Sequence, residues 1–375
     1  MAAPMSWALT PPSPERPDLE SHPMAPRGTI RAVNAREVAA LFDAAAARSA
    51  SAAGARDDED RWELLRRAGK AGRLAARLAV TRTTSADVAV RSTACDLLGV
   101  ASQSHEDIRE DAASALISLA ADEVEDAVRW SIARALGATG DVRATPVLLG
   151  LGESADAEIR LEVATSLPAV LGDDVDRSVV ATLVNLCGDV DPEVRNWAAF
   201  ALGWQSTVDG RPVRQALWER TSDSYGEARE EGIRGLARRR DPRALPLVAG
   251  LLAEESVHPS TFEAAAFLAH PSLVPLLEEF DPTSENVATA LRECDPLRRA
   301  QRDASAMMLL DALHARLPDV EMAMFGDRFE LGLELEVIDG SSGNRTARWS
   351  VESLLKRAEG DPHLAARLAA GDLRR

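Results

Sequence analysis

The hydrophobic positions of this chain follow a helical period over most of its length. From about Glu37 to about Leu317, apolar residues recur three and four positions apart, and alanine, the strongest helix former, is frequent. Strand patterns are absent from this stretch. The pattern therefore predicts a long helical region, residues 37–317, between an N-terminal tail and a C-terminal segment of a different kind.

The segment 191–203, which reads DPEVRNWAAFALG, illustrates how each helix is specified. Asp191 is suited to the N-cap, because its carboxylate can accept hydrogen bonds from free backbone N–H groups. Pro192 is suited to the first helical position, and Gly203 can end the helix in a left-handed conformation. One face of the helix is apolar, and its residues are Val194, Ala198, Ala201 and Leu202.

The same motif recurs at intervals of 31 to 38 residues, which is the signature of a repeat architecture. The matched leucines are Leu98, Leu136, Leu167, Leu202, Leu236 and Leu268. Shorter helices are predicted between them at 144–153, 178–188, 211–221, 243–254 and 272–279. Two antiparallel helices cannot bury their apolar stripes alone, so we expect neighbouring repeats to stack into a curved solenoid.

The consensus D-x-x-V-R-x-x-A-A-x-A-L-G resembles the HEAT repeat, in the short bacterial form first associated with phycobilin lyases, over about residues 85–280. The resemblance implies a mainly α fold, a right-handed α-α superhelix of the HEAT/armadillo type, that mostly serves as a scaffold for binding proteins. It also implies a ladder between repeats, in which each recurrent arginine meets an acid or a carbonyl of the adjacent turn. The expected ladder residues are Asp126, Arg129, Asp156, Arg160, Asp191, Arg195 and Arg229. The alternative for these arginines is a basic stripe that binds a ligand.

The two ends of the chain differ from the helical array. Residues 1–36 hold seven of the twenty prolines and predict a mostly disordered tail. Beyond Pro318 the hydrophobic period changes to two, with a tight turn expected at Gly326–Asp327. The predicted elements are strands at 320–324, 329–337 and 345–349 and helices at 350–359 and 362–370. Residues 318–375 are therefore expected to form a small α/β element with an antiparallel β-meander, either a cap for the last repeat or an interaction module.

Charge and cysteine usage narrow the class of protein. The net charge is -17, of which the helical array carries about -15. This opposes a general nucleic-acid binder, because phosphate contact needs clustered positive charge, and it favours a neutral or basic partner. No apolar run is long enough to cross a membrane. Three cysteines, far apart and odd in number, fit a reducing cytosol rather than a disulfide framework or a zinc site.

A search for catalytic motifs finds none. The sequence contains no phosphate-binding P-loop, no glycine-rich dinucleotide motif between a strand and a helix, and no nucleophile elbow. The six histidines are scattered, and the single pair His105-Glu106 cannot build a di-iron site. We therefore predict no catalytic residue, no metal and no cofactor.

Two groups of residues are candidate partner-binding surfaces. Tryptophan is enriched at interface hot spots, and arginine forks suit carboxylates and phosphates. The first group is Trp130, Asn196, Trp197, Phe200, Trp204 and Gln205. The second is Arg234, Arg238, Arg239 and Arg240, at one helix end. The competing interpretations are tryptophans that fill the core and a helix end that is simply solvated.

These observations favour a non-enzymatic, cytoplasmic scaffold whose protein partner lies along a concave face lined by the second helices of the repeats. One alternative is a lyase-type enzyme, or an enzyme subunit, that acts on a cofactor-bearing protein. The other is nucleic-acid contact confined to the arginine cluster.

Overall fold

Helices dominate the part of the chain that the structure describes. The structure is a computed structural model, and it describes residues 34–51, 58–171, 176–340 and 345–373. Residues 1–33 of the tail predicted for residues 1–36 lie outside the described residues. The long helical array and the small antiparallel sheet predicted from the sequence are both confirmed.

Three helices precede the first copy of the repeat motif. They are α1 (Ala35–Ser51), α2 (Glu59–Gly69) and α3 (Arg73–Arg82). Asp58 caps α2 by accepting a hydrogen bond from the Arg61 backbone N–H. The Arg61 side chain is buried and forms an ion pair with the buried Asp96 carboxylate in α4 (Val88–Ser104), the first motif helix. Because a buried charge is costly unless it is paired, this contact fixes α2 against the array.

The repeats form two rows of helices. The first, which we call the motif row, contains α4 (Val88–Ser104), α6 (Asp126–Thr139), α8 (Ala157–Ser166), α10 (Pro192–Phe200), α12 (Gly226–Arg238), α14 (Pro259–Leu268) and α16 (Glu285–Cys294). The second row contains α5 (Arg109–Ala120), α7 (Thr145–Leu151), α9 (Arg177–Leu186), α11 (Arg211–Arg220), α13 (Ala244–Leu252) and α15 (Val274–Leu277). The matched leucines from Leu98 to Leu236 are fully buried between the rows. Burial of this periodic stripe holds the array together.

Glycine and alanine let neighbouring helices of the motif row approach closely. A Cβ added to Gly99 would lie 3.0 Å from the Ala135 Cα. One added to Gly235 would lie 2.8 Å from the Gly203 Cα, closer than real Cβ atoms come to other atoms. Small residues at these positions therefore set the spacing of the repeats, which explains part of the alanine excess in the composition.

A ladder of arginine side chains links the repeats from α8 to α12. Arg160 contacts the Asp189 carboxylate at 2.7 Å, and Arg195 contacts Asp223 at the same distance. Arg195 also donates to the Asp189 carbonyl at 3.0 Å, and Arg229 donates to the Asp223 carbonyl at 3.3 Å. Each acidic turn is thus held by the arginine of one repeat through its carboxylate and by that of the next through its backbone.

The acids of this ladder differ from those expected from the sequence. Asp156 and Asp191 cap their own helices, accepting from the backbone N–H groups of the first turn. Asp126 pairs with Arg129 one turn further along the same helix. The acid that receives each arginine from the preceding repeat is instead Asp189 or Asp223, in the turn just before the motif helix. Ser154 occupies that place one repeat earlier, which is why Arg129 turns to Asp126.

We expect the ladder to make stability depend on pH. Hydrogen bonds from Arg195 lower the pKa of Asp223 to about 2. Because the pKa is lower in the folded than in the unfolded chain, where it is near 4, the ionised carboxylate favours folding above about pH 4. This stabilisation is lost as the pH falls toward 2. Asp223→Asn should lower the free energy of unfolding at pH 7 by about 2 kcal/mol. The deficit relative to wild type should shrink below pH 4 in urea denaturation curves.

Asp122→Asn is the matched control, because Asp122 is exposed in a turn of the same array. The difference in free energy of unfolding between this control and wild type should be the same at every pH. A difference between Asp223→Asn and wild type that does not change with pH would contradict the role of Asp223 in the ladder.

The C-terminal part contains α17 (Pro296–His314), the strands β1 (Glu321–Phe325), β2 (Glu334–Asp339) and β3 (Arg345–Ser350), then α18 (Val351–Arg357) and α19 (Pro362–Leu373). The sheet order is β1-β2-β3, and both pairs are antiparallel. Met322 faces Val337, which faces Ala347 on the other side. Leu335 and Val337 are buried in a second apolar cluster with residues of α17, α18 and α19.

The sequence predicts the start of β2 at Phe329, but the strand begins at Glu334. Residues 329–333, predicted as strand, belong to the connection between β1 and β2, and the tight turn expected at Gly326–Asp327 is part of this longer connection. The connection lies on the helical array, where Phe329 and Leu331 make contacts. The antiparallel pairing of β1 with β2 is retained, but a longer connection with these distant contacts takes the place of the tight turn.

Candidate functional site

The side chains that α10 turns away from the core form one surface, which we call the motif-row face. Val194, Ala198 and Leu202 of this segment are completely buried. Asn196, Trp197, Phe200, Trp204 and Gln205 are only partly buried. Their spacing of three and four residues places most of them along one side of the helix.

Trp197 and Phe200 are the aromatic centre of this face. Their rings meet edge to face, with centroids 5.7 Å apart and an interplanar angle of 88°. The buried side-chain oxygens of Asn196 and Gln205 beside them have no hydrogen-bond donor among the described residues. A surface with partly exposed aromatic rings can gain apolar contact from a partner.

Trp204 extends the face toward the next repeat. It lies in a π-helical turn, Ala201–Gln205, that continues α10. The Arg234 guanidinium stacks at 3.9 Å from the centre of the Trp204 ring, and Arg234 also contacts Glu263 at 2.8 Å. The edge of the Phe267 ring completes the cluster at 5.9 Å. Arg234 is thus held in place by a ring and a carboxylate while remaining partly exposed.

The interpretation of Arg238 and Arg239 as a partner-contacting surface is wrong, because both side chains are buried. Arg238 is 4% exposed and Arg239 is fully enclosed. Arg239 donates to the carbonyls of Leu202, Gly203, Ser206, Val208 and Gly235. Burial lowers the pKa of Arg239 to about 10, which still leaves the side chain charged at neutral pH. An arginine with this role supports the backbone around the π-helical turn and cannot reach an external phosphate.

Arg240 differs from its two neighbours. It is exposed, and its φ of 51° places it in the left-handed region where the chain leaves α12. The arginine run predicted as one surface therefore divides into a stacked residue, two buried residues and one exposed residue. The nucleic-acid alternative loses the two central cations on which it relied.

The connection between β1 and β2 covers the end of the motif-row face. Arg238 donates through Nε to the Phe329 carbonyl at 2.8 Å, and its guanidinium lies 5.4 Å from the Phe329 ring. Arg328 contacts the Asp209 carboxylate at 2.6 Å. The connection between β1 and β2 therefore occupies the surface next to Trp204. The aromatic centre, Trp197 and Phe200, lies in α10, which continues into the π-helical turn that contains Trp204.

Trp130 belongs to the core rather than to this face. It is 8% exposed, and Arg134 lies between it and Trp62, at 5.7 Å and 3.8 Å from the two ring centres. The interpretation of Trp130 as a partner contact is therefore corrected. Sequence could not separate it from Trp197, since both are tryptophans in a motif helix.

The groups that could carry chemistry are few among the described residues. They contain no cluster of three or more His, Cys, Asp or Glu side chains that could hold a metal ion. All three cysteines are buried. Burial raises the pKa of Cys187 to about 12 and that of Cys294 to about 11, so these thiols stay protonated and unreactive at neutral pH.

Comparison with known proteins identifies HEAT repeats at residues 74–168 and 180–269. Protein YibA of Escherichia coli strain K12 is 33% identical over 129 residues, which cover 33% of this chain and 44% of YibA. The chain thus spans less than half the length of the curated relatives it matches. None of the helices among the described residues is long and apolar enough to cross a membrane.

Solved structures agree with the fold. The crystal structure of E. coli YibA superposes with a TM-score of 0.52 at 20% identity, covering 68% of this chain and 96% of that one. The complex of CpcE and CpcF of phycocyanin lyase from a Nostoc species gives a TM-score of 0.39 at 18% identity, covering 59% and 94%. These similarities concern the arrangement of helices.

Proposed function

Because the chain is a HEAT-repeat protein, we propose that it is a non-enzymatic scaffold that binds a protein along the concave face of its array. The observation that carries the proposal is the partly exposed aromatic pair Trp197 and Phe200, whose rings meet edge to face on the motif-row face. Aromatic side chains in this setting are the residues that dominate binding energy in protein interfaces.

The packing of the two rows supports the choice of face. The motif row is the row whose backbones approach closely, at Gly99 and Ala135 and again at Gly203 and Gly235. In a curved stack, the row with the shorter spacing lies on the inside of the curve. The motif-row face is then the concave one, where a partner can touch several repeats at once.

The charge of the protein indicates the kind of partner. A net charge of -17 repels acidic surfaces and attracts basic ones, and it does not oppose a neutral partner. We propose a basic or neutral protein segment whose apolar side chains contact Trp197 and Phe200. The three buried free cysteines fit a cytoplasmic setting. We also propose that residues 318–375 cap the last repeat.

We expect the variant carrying Trp197→Ala and Phe200→Ala to lose its partner. Tagged wild-type protein expressed in its native host should recover a stoichiometric protein. The variant should recover about tenfold less, since truncating an aromatic hot spot costs roughly 2 kcal/mol or more. Quantitative mass spectrometry of the recovered proteins is the measurement, with the melting temperature of each variant recorded beside it.

The matched control is the pair Val124→Ala and Val190→Ala, because both valines are strongly exposed in turns outside the face. This control should recover the partner as wild type does. Equal recovery by the aromatic variant, or no stoichiometric protein with wild type, would count against the scaffold.

A further inference from the structure

Four arginines line an open pocket where the connection between β1 and β2 meets the second row of helices. They are Arg211, Arg214, Arg243 and Arg328, and the pocket between them has a volume of about 550 Å³. Its remaining lining residues are Asp209, Gly210 and Gln215. A pocket of this size lies in the range that small-molecule ligands occupy, roughly 300–1,000 Å³.

The carboxylates of Asp209 and Asp241 each already form ion pairs with two arginines. Asp209 binds Arg214 at 2.7 Å and Arg328 at 2.6 Å. Asp241 binds Arg214 at 3.1 Å and Arg243 at 2.9 Å. The hydrogen bonds from Arg243 lower the pKa of Asp241 to about 2, so this acid stays ionised at neutral pH. Four guanidinium groups therefore face two carboxylates, which leaves two positive charges in excess.

Several arginine N–H groups remain without an acceptor among the described residues. Arg211 forms no ion pair or side-chain hydrogen bond there, and it is exposed. Arg328 uses only Nη2, for Asp209 and for the Arg239 carbonyl. Arg243 uses Nε and Nη2, which leaves Nη1 free. Guanidinium forks of this kind match the oxygen atoms of a phosphate group.

The start of α11 adds backbone donors to the arginines. Gly210 precedes this helix and supplies no capping side chain, whereas Asp176 caps the corresponding helix α9 one repeat earlier. Pro212 has no N–H, and the Arg214 N–H donates to the Gly210 carbonyl, so the free backbone donors of this first turn are the N–H groups of Arg211 and Val213. Together with the excess of two positive charges, they favour a doubly charged anion.

We propose that this arginine pocket binds a phosphate group, either as the free dianion or as a phosphate monoester. The excess charge equals that of the dianion, and Arg211, Arg243 and Arg328 all line the pocket with unused donors. Because Arg328 comes from the connection between β1 and β2 while the others come from the array, the bound phosphate joins the two parts. The site does not depend on the proposed scaffold function.

The test uses the full chain, isothermal titration calorimetry and inorganic phosphate at constant ionic strength. We expect saturable binding of one phosphate per chain. The variant with Arg211→Gln and Arg328→Gln should weaken it by about tenfold or more, since it removes two charge-assisted donors to the anion. Both arginines are exposed, so the variant should melt near the wild-type temperature in phosphate-free buffer.

Arg177→Gln is the matched control, because Arg177 is exposed at the first position of α9, as Arg211 is in α11. It should bind phosphate as wild type does. Titration with glycerol 3-phosphate distinguishes the sources: tighter binding than inorganic phosphate identifies a phosphorylated molecule, and weaker binding identifies the free anion. Absence of saturable binding by wild type to both probes, or equal affinity in the double variant, would overturn the proposal.

Discussion

Replacing Arg239 with methionine is expected to lower the free energy of unfolding by about 3–5 kcal/mol, because several backbone carbonyls lose a charge-assisted hydrogen bond together. Arg239 is enclosed, and its guanidinium satisfies five backbone carbonyls around the π-helical turn that ends α10. Methionine fills a similar volume but donates no hydrogen bond. The carbonyls would then lose this donor, although Gly203 keeps a hydrogen bond from Arg238. Each carbonyl left without a donor where water cannot reach it costs roughly 1–3 kcal/mol.

Guanidinium chloride denaturation followed by circular dichroism and tryptophan fluorescence measures this loss. Arg240→Met is the control, because Arg240 follows directly in the chain and is exposed. Its effect should stay within about 0.5 kcal/mol. If the two variants unfold at the same denaturant concentration, the carbonyl contacts of Arg239 do not contribute to stability.

Leu202→Ala is expected to destabilise the array by about 2–5 kcal/mol, because truncating a buried leucine removes apolar contact and leaves a cavity. Leu202 is completely buried and occupies the matched leucine position of its repeat. Neighbouring repeats depend on one another for burial, so the loss should be seen by probes at both ends of the array.

Leu297→Ala controls for the change of residue type. Leu297 lies in α17 with 75% of its surface exposed, and its truncation should leave the unfolding curve unchanged. A near-zero effect of Leu202→Ala would mean that the leucine series does not mark the core of the repeats.

Much of the array could be predicted from sequence because its determinants are local. Asp191 and Pro192 specify the start of α10 through a cap and a fixed φ, and both act within one turn. The matched leucines recur in phase, and self-similarity makes each repeat support the prediction of the others. The same reasoning gave the motif-row positions at Asn196, Trp197 and Phe200.

The features that sequence missed depend on contacts between distant residues. Arg238 meets the Phe329 carbonyl across 91 positions, and no local pattern reveals that this contact turns a predicted strand into a connection. The burial of Arg239 depends on the carbonyls of a π-helical turn more than 30 residues earlier. Asp189 and Asp223 could have been found, because each lies 28 or 29 residues after a ladder arginine.

The contact between Gly203 and Gly235 has a geometric consequence for the whole molecule. Each repeat is positioned only by its neighbours, so a change in one joint rotates everything beyond it. A single methyl group at either glycine would meet the facing backbone at 2.8–3.1 Å and act as a wedge between the two repeats. The resulting rotation displaces each following repeat by an amount that increases with its distance from the joint. The curvature of the array at this joint therefore depends on the absence of a side chain from both glycines.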